Sequence, residues 1–364
     1  MLQQYRWSFI LLGWFFIIFP ALALGLTLMP IIPAMQEWDT ITFSYVVYKV
    51  QYLSIGIGIG LMLIGIINAW PTLRWWWRTL IVLLIIIAGG MHYLSRTEAS
   101  AEVMFNEPES VRRVQLDPSS AMSDTTVYLW VYLNGQAAGY PLDLVAHHHK
   151  IHDTVGGVPV LVTYCTMCHT GRVYSPLIDG KRETFRLVGA NHFNAIFEDV
   201  STGSWWYQAT GECVVGPLSG KVFSDIPFIQ GTVSEMQAIT RARSVSAFVP
   251  DASTADKYDW SRGFAQRVGD TTQTLGKRSL VIGIDINGDS RAYPLHYLVT
   301  RSTDSLITDT INATTIVFQR PTSFTSPVTV FRDSLSSGVV IQSYREYWHS
   351  WKHFHPTTTT FKSP

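Results

Sequence analysis

The composition of this chain of 364 residues differs from that of an ordinary soluble protein. Charged residues make up only 15%, against about 25% in a typical soluble domain, while hydrophobic residues reach 47%. The formal net charge is zero, so no basic surface for nucleic acid is indicated. Three cysteines are too few for a disulfide framework and leave an odd thiol. The length suggests two or three domains.

Three apolar segments in the first 95 residues predict transmembrane helices. They cover residues 7–32, 52–70 and 75–94, and each has the roughly 20 residues that a helix needs to cross a bilayer. Tryptophans at their ends suit an interfacial aromatic belt. We therefore expect an integral protein of the inner or plasma membrane, with the lipid bilayer as a partner.

Positive charges predict the orientation of these helices. Arg6 precedes the first segment, and Arg74 and Arg78 lie at the loop between the second and third. The loop between the first and second segments is acidic instead. The positive-inside rule then places the N-terminus in the cytoplasm and residues 96–364 on the extracytoplasmic side.

After residue 95 the sequence changes to short β-rich runs separated by Gly, Pro, Asn and Asp. Two of these runs, 126–133 and 280–286, end at the pairs Asn134-Gly135 and Asn287-Gly288. An apolar run followed by Asn-Gly predicts a β-hairpin. The predicted fold class is therefore three N-terminal transmembrane α-helices followed by a mostly β, or β-rich α+β, extracytoplasmic domain.

The two hairpins begin a longer internal similarity. Tyr140-Pro141-Leu142 aligns with Tyr293-Pro294-Leu295, and Asp153-Thr154 aligns with Asp309-Thr310. Similarity at this spacing indicates a duplicated unit, so that the β-rich domain consists of two related halves. The predicted domains are a membrane anchor (1–95), a first β-rich repeat with the cysteine pair (96–250) and a second repeat without it (251–364).

The first repeat contains potential chemistry that the second lacks. Its β-branched run ends on Cys165-Thr-Met-Cys168-His169, and a histidine cluster, residues 147–152, lies just upstream. The second repeat has Phe318-Gln-Arg-Pro321 and residues 300–305 at the corresponding places. Because the shared scaffold does without cysteines and histidines there, we expect a specialised role for them in the first repeat.

One chemistry that two such thiols support is redox cycling between dithiol and disulfide. In the thioredoxin arrangement a helix N-terminus lowers the pKa of the first thiol. Here the residues after the pair indicate a turn and a strand. A lowered pKa would therefore have to come from His148, His169 or Arg172.

The other chemistry is soft-metal binding, in which thiolates and imidazoles hold Cu⁺ or Zn²⁺. If residues 141–152 form a short helix, His148 and His152 lie four apart on one face of it. The predicted ligand set is Cys165, Cys168, His148 and, less securely, His152.

Two further hypotheses remain open. Cys165-x-x-Cys168-His169 formally satisfies the c-type haem attachment pattern, although it follows a strand in a β-rich body. Alternatively, the domain is a non-catalytic ligand-binding or scaffolding module with structural cysteines. Cys213 is more typical of a small buried hydrophobic residue than of a ligand.

A polar segment with tryptophans follows the cysteines and could line a pocket. Asn191, His192 and Asn194 precede it and could reach a site. The candidate pocket residues are Asn191, Asp199, Thr202, Ser204, Trp206 and Gln208.

An ordered set of these motifs resembles the bacterial and archaeal family catalogued as domain of unknown function 3179. The resemblance covers roughly residues 110–364 and leaves out the three apolar segments. Its residues are Asn134-Gly135, Tyr140-Pro141-Leu142, His148, Asp153, Gly156-Gly157, Tyr164-Cys165-x-x-Cys168, Asp199, Thr202-x-Ser204-x-Trp206-x-Gln208-x-x-Gly211 and Trp351-x-x-Phe354-His355-Pro356.

The resemblance implies a little about function. Some relatives look like selenoproteins with selenocysteine in the Cys-x-x-Cys position, which favours redox chemistry or soft-metal binding over a structural role. His148 falls on the family's histidine, whereas His152 stands where the family has asparagine. Histidine after the second cysteine is not characteristic of the family. A redox or metal-delivery partner is therefore expected, and catalytic roles for Cys165 and Cys168 apply if the pair is redox-active.

Overall fold

The computed structural model describes residues 2–97, 100–116, 126–240, 245–250, 275–324 and 326–361. Short 3-10 helices cover Leu2–Tyr5, Pro33–Glu37 and Trp70–Thr72. The α-helices are α1 (Arg6–Leu28), α2 (Ile41–Ala69), α3 (Trp75–Arg96), α4 (Ala101–Met104), α5 (Leu142–His148), α6 (Val233–Thr240), α7 (Leu295–Thr300) and α8 (Trp348–Phe354).

The strands follow the third long helix and are mostly short. They are β1 (Arg112–Gln115), β2 (Tyr128–Leu133), β3 (Gln136–Pro141), β4 (Lys150–Val155), β5 (Val158–Cys165), β6 (Thr170–Tyr174), β7 (Leu177–Ile178), β8 (Lys181–Arg182), β9 (Phe185–Asn191), β10 (Asn194–Asp199), β11 (Trp205–Tyr207), β12 (Cys213–Val215), β13 (Phe228–Gly231), β14 (Val245–Val249), β15 (Leu280–Ile286), β16 (Asp289–Pro294), β17 (Leu306–Ile311), β18 (Thr314–Gln319), β19 (Val330–Arg332), β20 (Val340–Ile341), β21 (Tyr344–Tyr347) and β22 (Thr359–Thr360). This architecture confirms the predicted fold class of three apolar helices before a mostly β domain.

Helices α1, α2 and α3 are long and apolar enough to cross a membrane, as predicted. α1 and α3 nearly match the predicted segments, but α2 begins at Ile41 and not near residue 52. Its first turns carry polar residues, which a hydropathy pattern leaves out. Ser44 and Gln51 are nevertheless buried along one face of α2, and the Ser44 hydroxyl donates to Thr27 Oγ1 at 2.8 Å.

The start of α2 also packs against the β-rich domain. Trp205 on β11 contacts the rings of Tyr45 and Tyr48 at centroid distances of 5.2 and 5.3 Å. Lys49 Nζ lies 3.4 Å from Glu198 Oε1 on β10. The sheet ordered β12-β11-β10-β9 is therefore the part of the domain on which the membrane region docks.

The two predicted halves contain the same order of elements. β2, β3, α5, β4 and β5 correspond to β15, β16, α7, β17 and β18. Their sheets also match, since β14-β3-β2-β13 and β22-β16-β15-β21 both join a parallel pair to two antiparallel pairs. Descent from one duplicated unit stays a prediction. The predicted boundary at 250/251 adjoins residues 251–274, which lie outside the described residues.

Local geometry explains the two hairpins. Asn134 and Gly135 have φ of 49° and 79°, and Asn287 and Gly288 have 55° and 90°. Positive φ at both central residues is the tight hairpin turn that Asn-Gly favours.

The predicted helix over residues 141–152 is wrong in its second half. α5 ends at His148, because His149 adopts a left-handed backbone (φ 61°) and ends the helix, and Lys150 begins β4. His152 therefore lies on a strand and does not share a helical face with His148. The histidine run contains the helix C-terminus.

Candidate functional site

The two thiols lie at a turn between antiparallel strands. Cys165 ends β5, residues 166–169 form the turn, and β6 follows directly, as the sequence predicted. Both cysteines are fully buried in a cluster that includes Leu161 and Trp206. Their Sγ atoms are 3.1 Å apart, and both cysteines are free.

Polar atoms contact the sulfurs from the next sheet. The Phe193 carbonyl oxygen is 2.9 Å from Cys168 Sγ and 3.5 Å from Cys165 Sγ. Asn194 Nδ2 donates to Cys168 Sγ at 3.1 Å. Gln208 Oε1 accepts from the same amide group at 3.2 Å, so the Asn194 side chain is held in place from both sides.

These contacts make the two thiols unequal. Burial disfavours ionisation of Cys165, but hydrogen bonds from Cys168 and from the backbone of Ala195 and Met167 outweigh it and lower its pKa. Burial raises the pKa of Cys168 well above its usual value, and the hydrogen bond to Cys165 raises it further. Cys165 is therefore the thiol that ionises first, and Cys168 is the thiol that keeps its proton.

None of the three groups expected to lower a thiol pKa is engaged with the sulfurs. His148 Nδ1 lies 2.6 Å from the Asn106 carbonyl oxygen, His169 Nδ1 lies 3.0 Å from the Tyr164 hydroxyl, and Arg172 pairs with Glu346. The lowered pKa of Cys165 comes from hydrogen bonding, as the contacts above show.

Two residues between β9 and β10, His192 and Phe193, cover the thiols, and we call them the thiol cover. Both have positive φ, 52° and 59°. Gln36 in the loop between α1 and α2 accepts from the Phe193 N–H at 3.3 Å. On the other side, the ring of His353 on α8 stacks on His192 at 3.8 Å, and His349 contacts the Phe193 ring. The membrane region and α8 therefore hold the cover together.

Strand β21 of the second half packs against the cysteine turn. The Tyr347 N–H donates to the Cys168 carbonyl at 2.8 Å, and the Tyr347 ring stacks on His169 at 5.1 Å. Arg172 on β6 donates to Glu346 at 2.9 Å, with both side chains buried. The turn is therefore fixed by residues from both halves.

The predicted metal ligands are not brought together. His148 is buried at the end of α5, and burial lowers its pKa to about 4. His152 Nδ1 is 2.6 Å from Glu107 Oε1. Within the described ranges, no group of three or more His, Cys, Asp or Glu residues is arranged to hold a metal ion. The thiol pair is thus without a third ligand of those types there.

The predicted pocket residues separate into two groups. Asp199 accepts hydrogen bonds from the Thr202 and Ser204 backbone N–H groups and from Trp206 Nε1, so these four residues form a closed loop network. Gln208 instead reaches the thiols through Asn194.

Asn191 faces the membrane region. Its Nδ2 donates to Thr40 Oγ1 at 3.2 Å, and its Oδ1 accepts from the Tyr207 hydroxyl at 2.6 Å. Contacts of this kind, like those of Gln36 and Tyr347, join residues far apart in sequence. No local pattern signals them.

Comparison with known proteins identifies a family but no activity. Residues 106–256 match the model of the family described as Protein of unknown function (DUF3179), and the chain therefore carries a domain of that family. The match confirms the resemblance for the first repeat and ends before the second hairpin. No curated protein and no solved structure matches the chain.

Proposed function

We propose that this chain, which carries a DUF3179 domain behind three membrane-spanning helices, is a membrane-anchored thiol–disulfide redox protein. The observation that supports this most is the 3.1 Å distance between Cys165 Sγ and Cys168 Sγ. A disulfide bond is about 2.05 Å long, so a shift of about 1 Å forms it. The positive-inside orientation, in which the thiols are extracytoplasmic, belongs to the same proposal and suits disulfide chemistry.

The unequal thiols suggest the order of steps. The Cys165 thiolate attacks one sulfur of a partner disulfide, the partner S–S bond breaks, and a mixed disulfide forms on Cys165. Cys168 then attacks Cys165 Sγ, and its proton passes to the departing partner thiolate. Two electrons move from this chain to the partner, so the Cys165–Cys168 disulfide forms and the partner disulfide becomes a dithiol. The partner is a disulfide-containing protein or small disulfide.

Soft-metal binding is supported less well by the same distances. Two thiolates bound to one Zn²⁺ at about 2.3 Å in tetrahedral geometry lie roughly 3.8 Å apart. Cys165 and Cys168 would have to separate for that, and the groups closest to them are a carbonyl oxygen and an amide. Neither is a preferred ligand of Cu⁺ or Zn²⁺.

Access to the thiols requires the thiol cover to move, because both sulfurs are buried. The Phe193 carbonyl contacts both sulfurs, so a partner disulfide can reach Cys165 only after that contact opens. The cover is held by Gln36 next to the membrane helices and by His353 on α8. We expect partner binding to displace it.

A redox titration tests the proposal. The full chain with Cys213→Ser, purified in detergent, is equilibrated in dithiol/disulfide buffers, quenched with acid, alkylated and weighed. We expect one two-electron transition at a potential above about −300 mV, the range of labile and catalytic disulfides. A pair that never oxidises, or one that stays oxidised below that potential, contradicts the proposal. Stoichiometric Zn²⁺ or Cu⁺ that is lost in Cys165→Ser/Cys168→Ser would support the metal hypothesis instead.

A further inference from the structure

Two arginines among the described residues are buried, and their surroundings differ. Arg172 is 3% exposed, and its guanidinium pairs with Glu346 at 2.9 Å. Arg345, its neighbour across β21, is 7% exposed. Its Nη2 donates to the Phe324 carbonyl, while its Nε is buried and has no hydrogen-bond partner in the described part of the chain. A buried charge normally has a counter-charge, because removing it from water is costly.

The charge on Arg345 persists despite this burial. Burial lowers its pKa to about 10, and the groups that act against this are the hydroxyls of Tyr164 and Tyr347. At neutral pH the guanidinium is still protonated. The two tyrosines are neutral there, so they do not balance the charge.

Arg345 lines a cleft between the two halves. The cleft lies where three edge strands meet, since β13, β20 and β21 each end the order of their sheets. Its volume is about 20 Å³, the room of one or two water-sized groups. Polar side chains and apolar side chains both border it. Besides Arg345, residues along its wall include Gln230, Thr329, Ser343, Ile282 and Val328.

We propose that this cleft binds a small carboxylate at the Arg345 guanidinium. The two oxygens of a carboxylate fit the available room and match the fork of N–H donors that guanidinium presents. Ser343 and Thr329 border the cleft and carry hydroxyls that can donate to the same oxygens. The bound anion supplies the counter-charge that Glu346 supplies to Arg172. The site is separate from the proposed redox function and does not depend on it.

Ligand-induced stabilisation tests the site. The full chain in nanodiscs is heated in rising sodium acetate, with sodium chloride at matched ionic strength as the reference and sodium phosphate as a second anion. A ligand that binds only the folded state raises the unfolding midpoint in a saturable way. We expect a saturable rise with acetate and a weaker one with phosphate. No rise beyond chloride, or a rise with phosphate alone, overturns the proposal.

Variants assign the effect to Arg345. Arg345→Gln should abolish the acetate-dependent rise, while Arg332→Gln, which removes an exposed arginine from β19, should leave it unchanged. Arg345→Lys keeps the charge but loses the fork, so its dissociation constant for acetate should rise at least fivefold. The lysine variant decides the question if the glutamine variant does not fold. An unchanged acetate affinity in Arg345→Lys, or an unchanged rise in Arg345→Gln, contradicts the assignment.

Discussion

The units 128–174 and 280–332 build the same hairpins and differ where the fifth element ends. In the first, β5 passes through a tight turn with both cysteines into β6. In the second, β18 reaches β19 through a longer connection without cysteines. A fold of this kind therefore forms without thiols. Burying two thiols beside the polar Asn194 and Gln208 is a feature of the first unit alone, which supports a functional reason for it.

The largest expected effect concerns the ion pairs of the two units. Arg172 and Glu346 are buried, whereas Arg291 and Asp309 are partly exposed. Removing one partner of a buried pair leaves an unpaired charge and costs about 3–5 kcal/mol. Glu346→Ala should therefore lower the free energy of unfolding by that amount.

The matched control for this pair is Asp309→Ala in the second unit. Because solvent screens its partner, we expect a loss of about 1–2 kcal/mol. Both variants are compared with the full chain by denaturant unfolding in detergent, followed by tryptophan fluorescence. Equal losses would mean that the contact between the halves is no stronger than an exposed pair.

Acid should weaken the first unit more than the second. Burial lowers the pKa of His148 to about 4 and that of His149 to about 3. Both folded pKa values lie below the unfolded value near 6.5, so the unfolded state binds protons first. The stability these residues contribute is complete above pH 6.5 and falls as the pH drops towards 4.

Hydrogen exchange measures this difference. We expect protection of the β4 amides to fall by about 2 kcal/mol or more between pH 7 and pH 4.5, and that of the β17 amides to change less. His149→Asn keeps a residue that tolerates the left-handed backbone and should flatten the pH dependence of β4. Equal losses in β4 and β17 would contradict burial of neutral histidines as the cause.

Much of the fold could be predicted from the sequence because its signals are local. Apolar length identified the membrane helices, and Asn134-Gly135 and Asn287-Gly288 identified the hairpins. The helix over residues 141–152 was mispredicted because the left-handed backbone at His149, which ends α5, has no pattern of its own in the sequence.

The candidate site was predicted less completely. The cysteines, Asn194 and Gln208 were all singled out, but His148 was expected beside the thiols. The contacts that define the site join Cys168 to Phe193, Phe193 to Gln36, and Cys168 to Tyr347. Such pairings depend on how sheets and helices pack, and neither periodicity nor spacing encodes them.

A smaller effect is expected at the tyrosine that both units share. The Tyr140 hydroxyl donates to Asp153 at 2.6 Å, and the Tyr293 hydroxyl donates to Asp309 at 2.7 Å. Tyr140→Phe should cost about 1.5–2 kcal/mol, because hydrogen bonds to carboxylates are among the stronger ones. Tyr293→Phe should cost about half of that, since Arg291 still pairs with Asp309. The same unfolding assay checks both, and no loss in either variant would remove the shared role.

The smallest effect concerns the cover that only the first unit carries. Gln36→Ala removes the acceptor for the Phe193 N–H, so the thiol cover should open more often. We expect iodoacetamide to alkylate Cys165 about threefold faster in the folded protein. Gln51→Ala removes another buried amide from α2, away from the cover, and should leave the rate unchanged. Equal rates in the two variants would separate Gln36 from thiol access.

The most direct test of the redox proposal is which thiol holds a mixed disulfide. The full chain with Cys213→Ser is incubated with oxidised glutathione, quenched with acid and weighed after adding either Cys168→Ser or Cys165→Ser. Because the pKa of Cys165 is lowered and that of Cys168 is raised, the Cys168→Ser protein should accumulate glutathione on Cys165, and the Cys165→Ser protein should accumulate at least tenfold less. Equal labelling of the two variants, or none in either, would contradict the account.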